Sequence, residues 1–242
     1  MMESWLQEAV EACALKDCHA SVHDLLDCFC GQFHIRPVAL PRFTPQTAQD
    51  WLSRRSPGQW FTTQDHDLHG FMAWWRGHGI LFFDNQRKEA EQRFTIVHEV
   101  AHFVLEEWLP RRRALSIFGP EILPVLDGER APSPEEALTL FFEQVPLNLR
   151  TDLMARDGSG GYASRDVVVA EHRADRVALE LLAPVERVLP LVKQHSREDA
   201  INSLRFQFHL PVEKATEYVD GLRRRLRVSR FSIAEFLGVE EG

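Results

Sequence analysis

An apolar segment between Phe94 and Leu105 contains three ionisable side chains, His98, Glu99 and His102, in the pattern H-E-x-x-H. Apolar residues surround them at helical spacing on nearly every side, which predicts a helix that lies in the core. Burial of three ionisable groups in such a helix is costly unless a metal ion or a partner compensates them. We therefore expect this segment to fold as a core helix beside a bound cation.

Histidines at positions i and i+4 project from the same face of a helix, so His98 and His102 can both reach one Zn²⁺. Glu99 lies beside that metal, where its carboxylate can take a proton from a water molecule that the metal activates. The motif therefore predicts a catalytic metal site, with His98 and His102 as ligands and Glu99 as the general base.

The third ligand has to come from elsewhere in the chain, because catalytic zinc takes three protein ligands and leaves a fourth position for water. The longer motif H-E-x-x-H-x-x-G-x-x-H is excluded, since Leu105 and Trp108 stand at its glycine and third histidine. The best candidate is Glu171, with Asp175 on the same helical face to accept the second N–H of a ligand histidine. Two histidines and a glutamate suit Zn²⁺, and they also accept Mn²⁺ or Co²⁺.

Other assignments at the site stay open from the residues alone. His172 competes with Glu171 as the third ligand. Glu106 and Glu107 follow His102 too closely on the same helix to close a tetrahedron easily. A donor for a tetrahedral oxyanion is also expected, and its candidates, chosen by reach, are Tyr162, His172 and His69.

Two blocks of the chain carry a resemblance to a known family. The sequence R-F-T-I-V-H-E-V-A-H-F at 93–103 resembles the R-F-T-x-A-H-E-x-G-H signature of the ImmA/IrrE family of metallopeptidases. Residues 171–184 are similar to that family's second block, E-x-x-A-N-x-F-A-x-x-L-L-x-P, and residues 80–84 to the strand before the first block. The matching positions of the second block are Glu171, Ala174, Ala178, Leu181, Leu182 and Pro184.

The resemblance favours Glu171 as the third ligand and Asp175 as the hydrogen-bond acceptor, at a position where the family more often has asparagine. It implies an α+β fold, with a small thermolysin-like zinc-peptidase core of helices packed on a small sheet at residues 1–184. The long interval between His102 and Glu171 implies an insertion at about 109–164. An all-helical region would then follow at 185–242.

The implied function is a gluzincin-type endopeptidase that cuts one site in a helix-turn-helix transcriptional repressor, and so induces a stress, mobile-element or defence response. The alternative is a regulatory protein that binds DNA or a partner and has a non-catalytic zinc site. Residues 200–219 resemble the helix-turn-helix segment that often follows the catalytic block, and arginines cluster at 111–113 and 223–230. The net charge of −8 argues against nucleic-acid binding over the whole surface. DNA contact is therefore expected only at the C-terminal arginines.

Local patterns predict the elements around the site. Two apolar runs, 68–76 and 80–84, predict a β-hairpin, whose second strand could offer an edge to an extended substrate. Residues 109–164, rich in proline and glycine, are expected to be the least regular part. Capping signals and proline stops predict helices at 44–54, 135–145 and 165–183.

The chain shows no secretory signal and no stretch of about 18 apolar residues that could span a membrane. We therefore expect a cytoplasmic protein without membrane contact, in which Cys13, Cys18, Cys28 and Cys30 stay reduced.

Overall fold

The computed structural model describes residues 2–17, 19–55, 67–75, 77–142 and 165–228. Its architecture is α+β, as the sequence predicts, with helices around a small mixed sheet. The chain divides into two compact units, Met1–Leu181 and Leu182–Gly242, whereas the sequence places the boundary after residue 184. Helix α1 spans Ser4–Cys13 and helix α2 spans Val22–Gln32.

The sheet contains three strands, β1 (Ile35–Leu40), β2 (Gly70–Trp75) and β3 (His78–Asp84), in the order β1-β3-β2. Strands β2 and β3 pair antiparallel, which confirms the predicted hairpin, and Gly77 turns between them with a φ of 74°. Strand β1 pairs parallel with β3 on its other side.

The expectation that residues 80–84 offer a free edge is wrong, because β3 is the central strand and both of its sides are paired. Strand β1 contains Pro37, which cannot donate to a ladder and is tolerated on an edge. Within the described residues the other edge of the sheet is β2.

Helices cover both faces of the sheet. On one face, helix α3 (Pro45–Ser53) packs its Ala48 and Leu52 against Phe71 and Phe82. This helix starts as predicted, with the Thr44 side chain accepting from the Thr47 N–H. Helix α4 (Glu89–Phe103) packs on the other face, where strand alternation directs Gly70 and Met72.

Helix α4 contains the H-E-x-x-H motif and is buried around most of its circumference, as the sequence predicts. Its buried residues include Arg93, which is 2% exposed and whose Nε donates to the Ala20 carbonyl at 2.8 Å. Helix α2 and the sheet hold α4 from different sides. The motif histidines are thereby fixed on a helix with little freedom to move.

Residues 109–142 are mostly helical, so the expectation of irregular structure is wrong for this described part. A π-helical turn, Val104–Trp108, leads into α5 (Leu109–Phe118), a 3₁₀ turn (Gly119–Ile122), α6 (Leu123–Leu126) and α7 (Pro134–Phe142). Pro110, Pro120, Pro124 and Pro134 lie in the first turns of these segments, where proline is tolerated. A small core of Ala114, Ile122, Val125 and Leu140 holds them together.

The predicted capping box before α7 is confirmed, since Ser133 Oγ accepts from the Glu136 N–H and the Glu136 carboxylate accepts from the Ser133 N–H. Helix α8 spans Arg165–Leu182. The predicted cap Ser164 and the predicted oxyanion donor Tyr162 lie outside the described residues.

The second unit contains helices α9 (Val185–Gln194), α10 (Arg197–Gln207) and α11 (Val212–Val228), which pack on one another. No helix among the described residues is long and apolar enough to cross a membrane. Cys13, Cys28 and Cys30 are free thiols, and burial raises the pKa of Cys13 to about 12. Cys18 lies outside the described residues.

A compensating pair of substitutions tests how closely β2 approaches α4. A Cβ added at Gly70 would lie 2.3 Å from Thr95 Cγ2 and 3.1 Å from Glu99 Cγ. We expect Gly70→Ala to lower the free energy of unfolding by about 1–3 kcal/mol through overpacking, measured by urea denaturation. Thr95→Ser removes the clashing methyl group, so the double variant should recover part of that loss. Equal destabilisation with and without Thr95→Ser would contradict this packing.

Candidate metal centre

Three predicted ligands from two distant parts of the chain converge in the first unit. His98 and His102 lie one turn apart on α4, with their Nε2 atoms 3.2 Å apart. The carboxylate of Glu171 on α8 spans the pair, with Oε2 3.3 Å from His98 Nε2 and Oε1 3.4 Å from His102 Nε2. Among the described residues, these three form the group whose ligand atoms could hold one metal ion.

The separations of these ligand atoms suit a tetrahedral cation. Zinc–ligand bonds of about 2.0–2.1 Å to nitrogen and oxygen give a tetrahedron whose edges are about 3.3–3.4 Å long. The two Nε2 atoms are 3.2 Å apart, close to one such edge, and they lie 3.3 and 3.4 Å from different oxygens of the Glu171 carboxylate. Two imidazoles and one carboxylate are also a donor set that zinc prefers, so the residues present fit the metal that the motif predicts.

Each ligand histidine has a carboxylate on its other ring nitrogen. Asp175 Oδ1 lies 2.9 Å from His98 Nδ1, and Glu106 Oε1 lies 2.9 Å from His102 Nδ1. A carboxylate at Nδ1 favours the tautomer with a proton there, which leaves the Nε2 lone pair directed at the metal position. Asp175 is placed where the sequence predicts, one turn beyond Glu171 on α8.

The role of Glu106 was not part of the sequence prediction, which considered this residue only as a ligand. Its spacing of four residues from His102 is the signal that could have found it, because residues i and i+4 face each other on a helix.

Glu99 lies beside the ligand group and is held by the edge strand. The Met72 backbone N–H donates to its carboxylate, and Gly70 lies against its side chain. Burial raises the pKa of Glu99, while the neighbouring histidines act in the opposite direction. The site thus contains one carboxylate that is not directed at an imidazole and is available for proton transfer.

Negative charge dominates the centre, because its carboxylates outnumber its imidazoles. Burial opposes ionisation of Glu171, but the contacts with His102 and His98 outweigh that effect and lower its pKa. Burial likewise opposes charging of His102, but Glu106 and Glu171 raise its pKa to about 10. Without a metal, protons on the imidazoles balance the carboxylates, and a divalent cation can take over that role.

The remaining sequence candidates lie apart from this group. His172 is exposed on α8 and contributes no ligand atom to the cluster. Glu107 instead accepts from the Gly77 N–H at 3.2 Å. His69 is exposed and directly precedes β2, where its carbonyl accepts from the Asp84 N–H.

The arginine clusters are partly engaged within the protein. Arg111 bonds to Asp127 at 2.7 Å, Arg112 stacks on Trp108, and Arg113 pairs with Glu8. Near the C-terminus Arg223 donates to the His195 carbonyl, and Arg224 is exposed. The side chains of Arg227 and Arg230 lie outside the described residues, so DNA contact stays a prediction.

No protein-family model matches the chain, and no curated protein is significantly similar to it.

Replacement of neighbouring residues on α8 tests the third ligand. We expect Glu171→Ala to weaken zinc binding by more than the roughly 10–100-fold that is typical when an outer hydrogen-bond partner is lost. His172→Ala should bind zinc as the unmodified protein does, because its side chain is exposed and outside the cluster. Chelator competition gives the affinities, and elemental analysis gives the metal content. A larger loss of zinc affinity in His172→Ala than in Glu171→Ala would show that His172 is the third ligand.

Proposed function

We propose that this protein is a zinc-dependent metalloendopeptidase of the gluzincin type. The observation that carries the proposal is the convergence of His98, His102 and Glu171 with a separate carboxylate, Glu99, beside them. A structural zinc site is closed by four protein ligands, whereas a catalytic one has three and an open position. The described residues supply three, which favours catalysis over the alternative of a regulatory protein with a non-catalytic zinc site.

The chemistry divides between the metal and the chain. Bound zinc would polarise a peptide carbonyl and lower the pKa of a water molecule. Glu99 takes the proton of the attacking water and passes it to the leaving amine, which is the work of a general base and then a general acid. The Met72 N–H donates to the Glu99 carboxylate and so fixes its direction.

The edge strand β2 supports an extended substrate segment. Among the described residues one side of β2 is unpaired, and Gly70 and Met72 of this strand contact Glu99. An unpaired strand edge can accept a further strand through backbone hydrogen bonds. The substrate edge that the sequence analysis placed at residues 80–84 is thus better assigned to β2.

We further propose membership of the ImmA/IrrE family, a thermolysin-like core, and a helix-turn-helix repressor as the substrate. The two resembling blocks lie on α4 and α8, and they supply the ligand histidines and the third ligand, which supports the resemblance. Helices α10 and α11, joined at residues 208–211, suit a segment that meets the repressor or its DNA.

The decisive variant is Glu99→Gln, with Glu89→Gln in the exposed first turn of the same helix as control. Each purified protein is incubated with zinc and with a helix-turn-helix repressor encoded by a neighbouring gene, with and without single-stranded DNA. We expect Glu99→Gln to retain its zinc and to lose about 10²–10⁴-fold in cleavage rate. The Glu89 variant should cleave normally.

Mass spectrometry of the products should show one cut in the repressor, and casein should stay intact. Unchanged cleavage by the Glu99 variant, or an intact repressor with every neighbouring candidate, would overturn the proposal.

A further inference from the structure

Glu106 contacts the metal centre from the side opposite the metal position. Its Oε1 lies 2.9 Å from His102 Nδ1, while His102 Nε2 faces Glu171 and His98. The two ring nitrogens point in different directions, so Glu106 is not a ligand of the same ion. Its contact can act only through the imidazole.

A local distortion of the helix places this carboxylate. The backbone widens into a π-helical turn at Val104–Trp108, and the Leu109 N–H donates to the Val104 carbonyl across five residues. Pro110 accounts for the widening, because it has no N–H for the Glu106 carbonyl and its ring would clash with that carbonyl in a regular α-helix. Such π turns occur frequently at functional sites.

The Glu106 carboxylate makes few other contacts among the described residues. Its side chain is 14% exposed, and its Oε2 is buried without a hydrogen-bond partner among the described residues. Arg173 on α8 is close enough for the charge of Glu106 to act on its pKa, and its guanidinium lies 4.6 Å above the Trp5 ring. A buried acceptor with one unused oxygen is expensive to maintain unless its other contact matters.

We infer that Glu106 is a positioning residue that fixes the tautomer and orientation of His102, as Asp175 does for His98. The inference rests on the metal site of the proposed function. It assigns a separate carboxylate to each ligand histidine, one from α8 and one from the π-helical turn. A carboxylate acceptor also makes the imidazole a stronger donor to the metal.

The test compares Glu106→Gln and Glu106→Ala with Glu107→Gln. Glu107 is a matched control, because it lies on the same π-helical turn, is 16% exposed and contacts Gly77 and Arg111 rather than a ligand. Zinc affinity is measured by chelator competition without any substrate, and the melting temperature is measured on the metal-free protein.

We expect a graded loss of zinc affinity, about 10-fold for Glu106→Gln, whose amide oxygen still accepts from Nδ1, and about 100-fold for Glu106→Ala. Glu107→Gln should lower the melting temperature and leave the zinc affinity unchanged. Cobalt-substituted Glu106→Ala should show an altered visible spectrum, because the geometry of one ligand has changed. A purely structural role for Glu106 would leave that spectrum unmoved.

Wild-type zinc affinity in both Glu106 variants would overturn the inference, and so would an equal loss of affinity in the Glu107 variant. The result is independent of peptidase activity. A protein whose zinc affinity depends on Glu106 but which cleaves no repressor refutes the proposed substrate and leaves the positioning role standing.

Discussion

The cost of placing charged groups in a core governs this structure. Helix α4 is buried by the sheet and α2, yet it brings His98, Glu99 and His102 into that interior. Around them gather Glu171, Asp175 and Glu106, whose negative charges the two imidazoles cannot balance while neutral. Such a cluster is stable only with protons on the imidazoles or with a cation at their centre. The ligand atoms of His98, His102 and Glu171 lie close enough together for one cation.

The rest of the first unit supports that centre. The sheet fixes α4 along one side, and strand β2 comes close enough that Gly70 can have no side chain there. The same strand orients Glu99 through the Met72 N–H. The scaffold and the candidate site therefore share contacts, so a change in the packing of β2 on α4 also moves Glu99, the general base that we propose.

Local patterns predicted much of this arrangement. The helical spacing of H-E-x-x-H, the hairpin at 70–84 and the capping box at Ser133 each depend on residues close in sequence, and the structure confirms them. The pairing of β1 with β3 is not local, so no periodicity could reveal that residues 80–84 are central. The prediction of irregular structure was wrong for 109–142, because proline is tolerated in the first turn of a helix although it breaks a helix interior. The sequence did not predict the contact of Glu106 with His102, because spacing alone does not show which ring nitrogen of the histidine a carboxylate will face.

The two histidines of the centre differ in where their carboxylate partners come from. His102 and Glu106 belong to one continuous helical segment that includes the π-helical turn, so their contact is local in sequence. His98 depends on α8, which supplies its partner Asp175 and also the third ligand, Glu171. A metal bound by all three proposed ligands would therefore stabilise the docking of α8 against α4, and the docked helix would in turn raise metal affinity. Because this linkage is reciprocal, an interaction that shifts α8 would change the affinity for the proposed metal, and a bound metal would hold the two sequence-distant helices together more firmly.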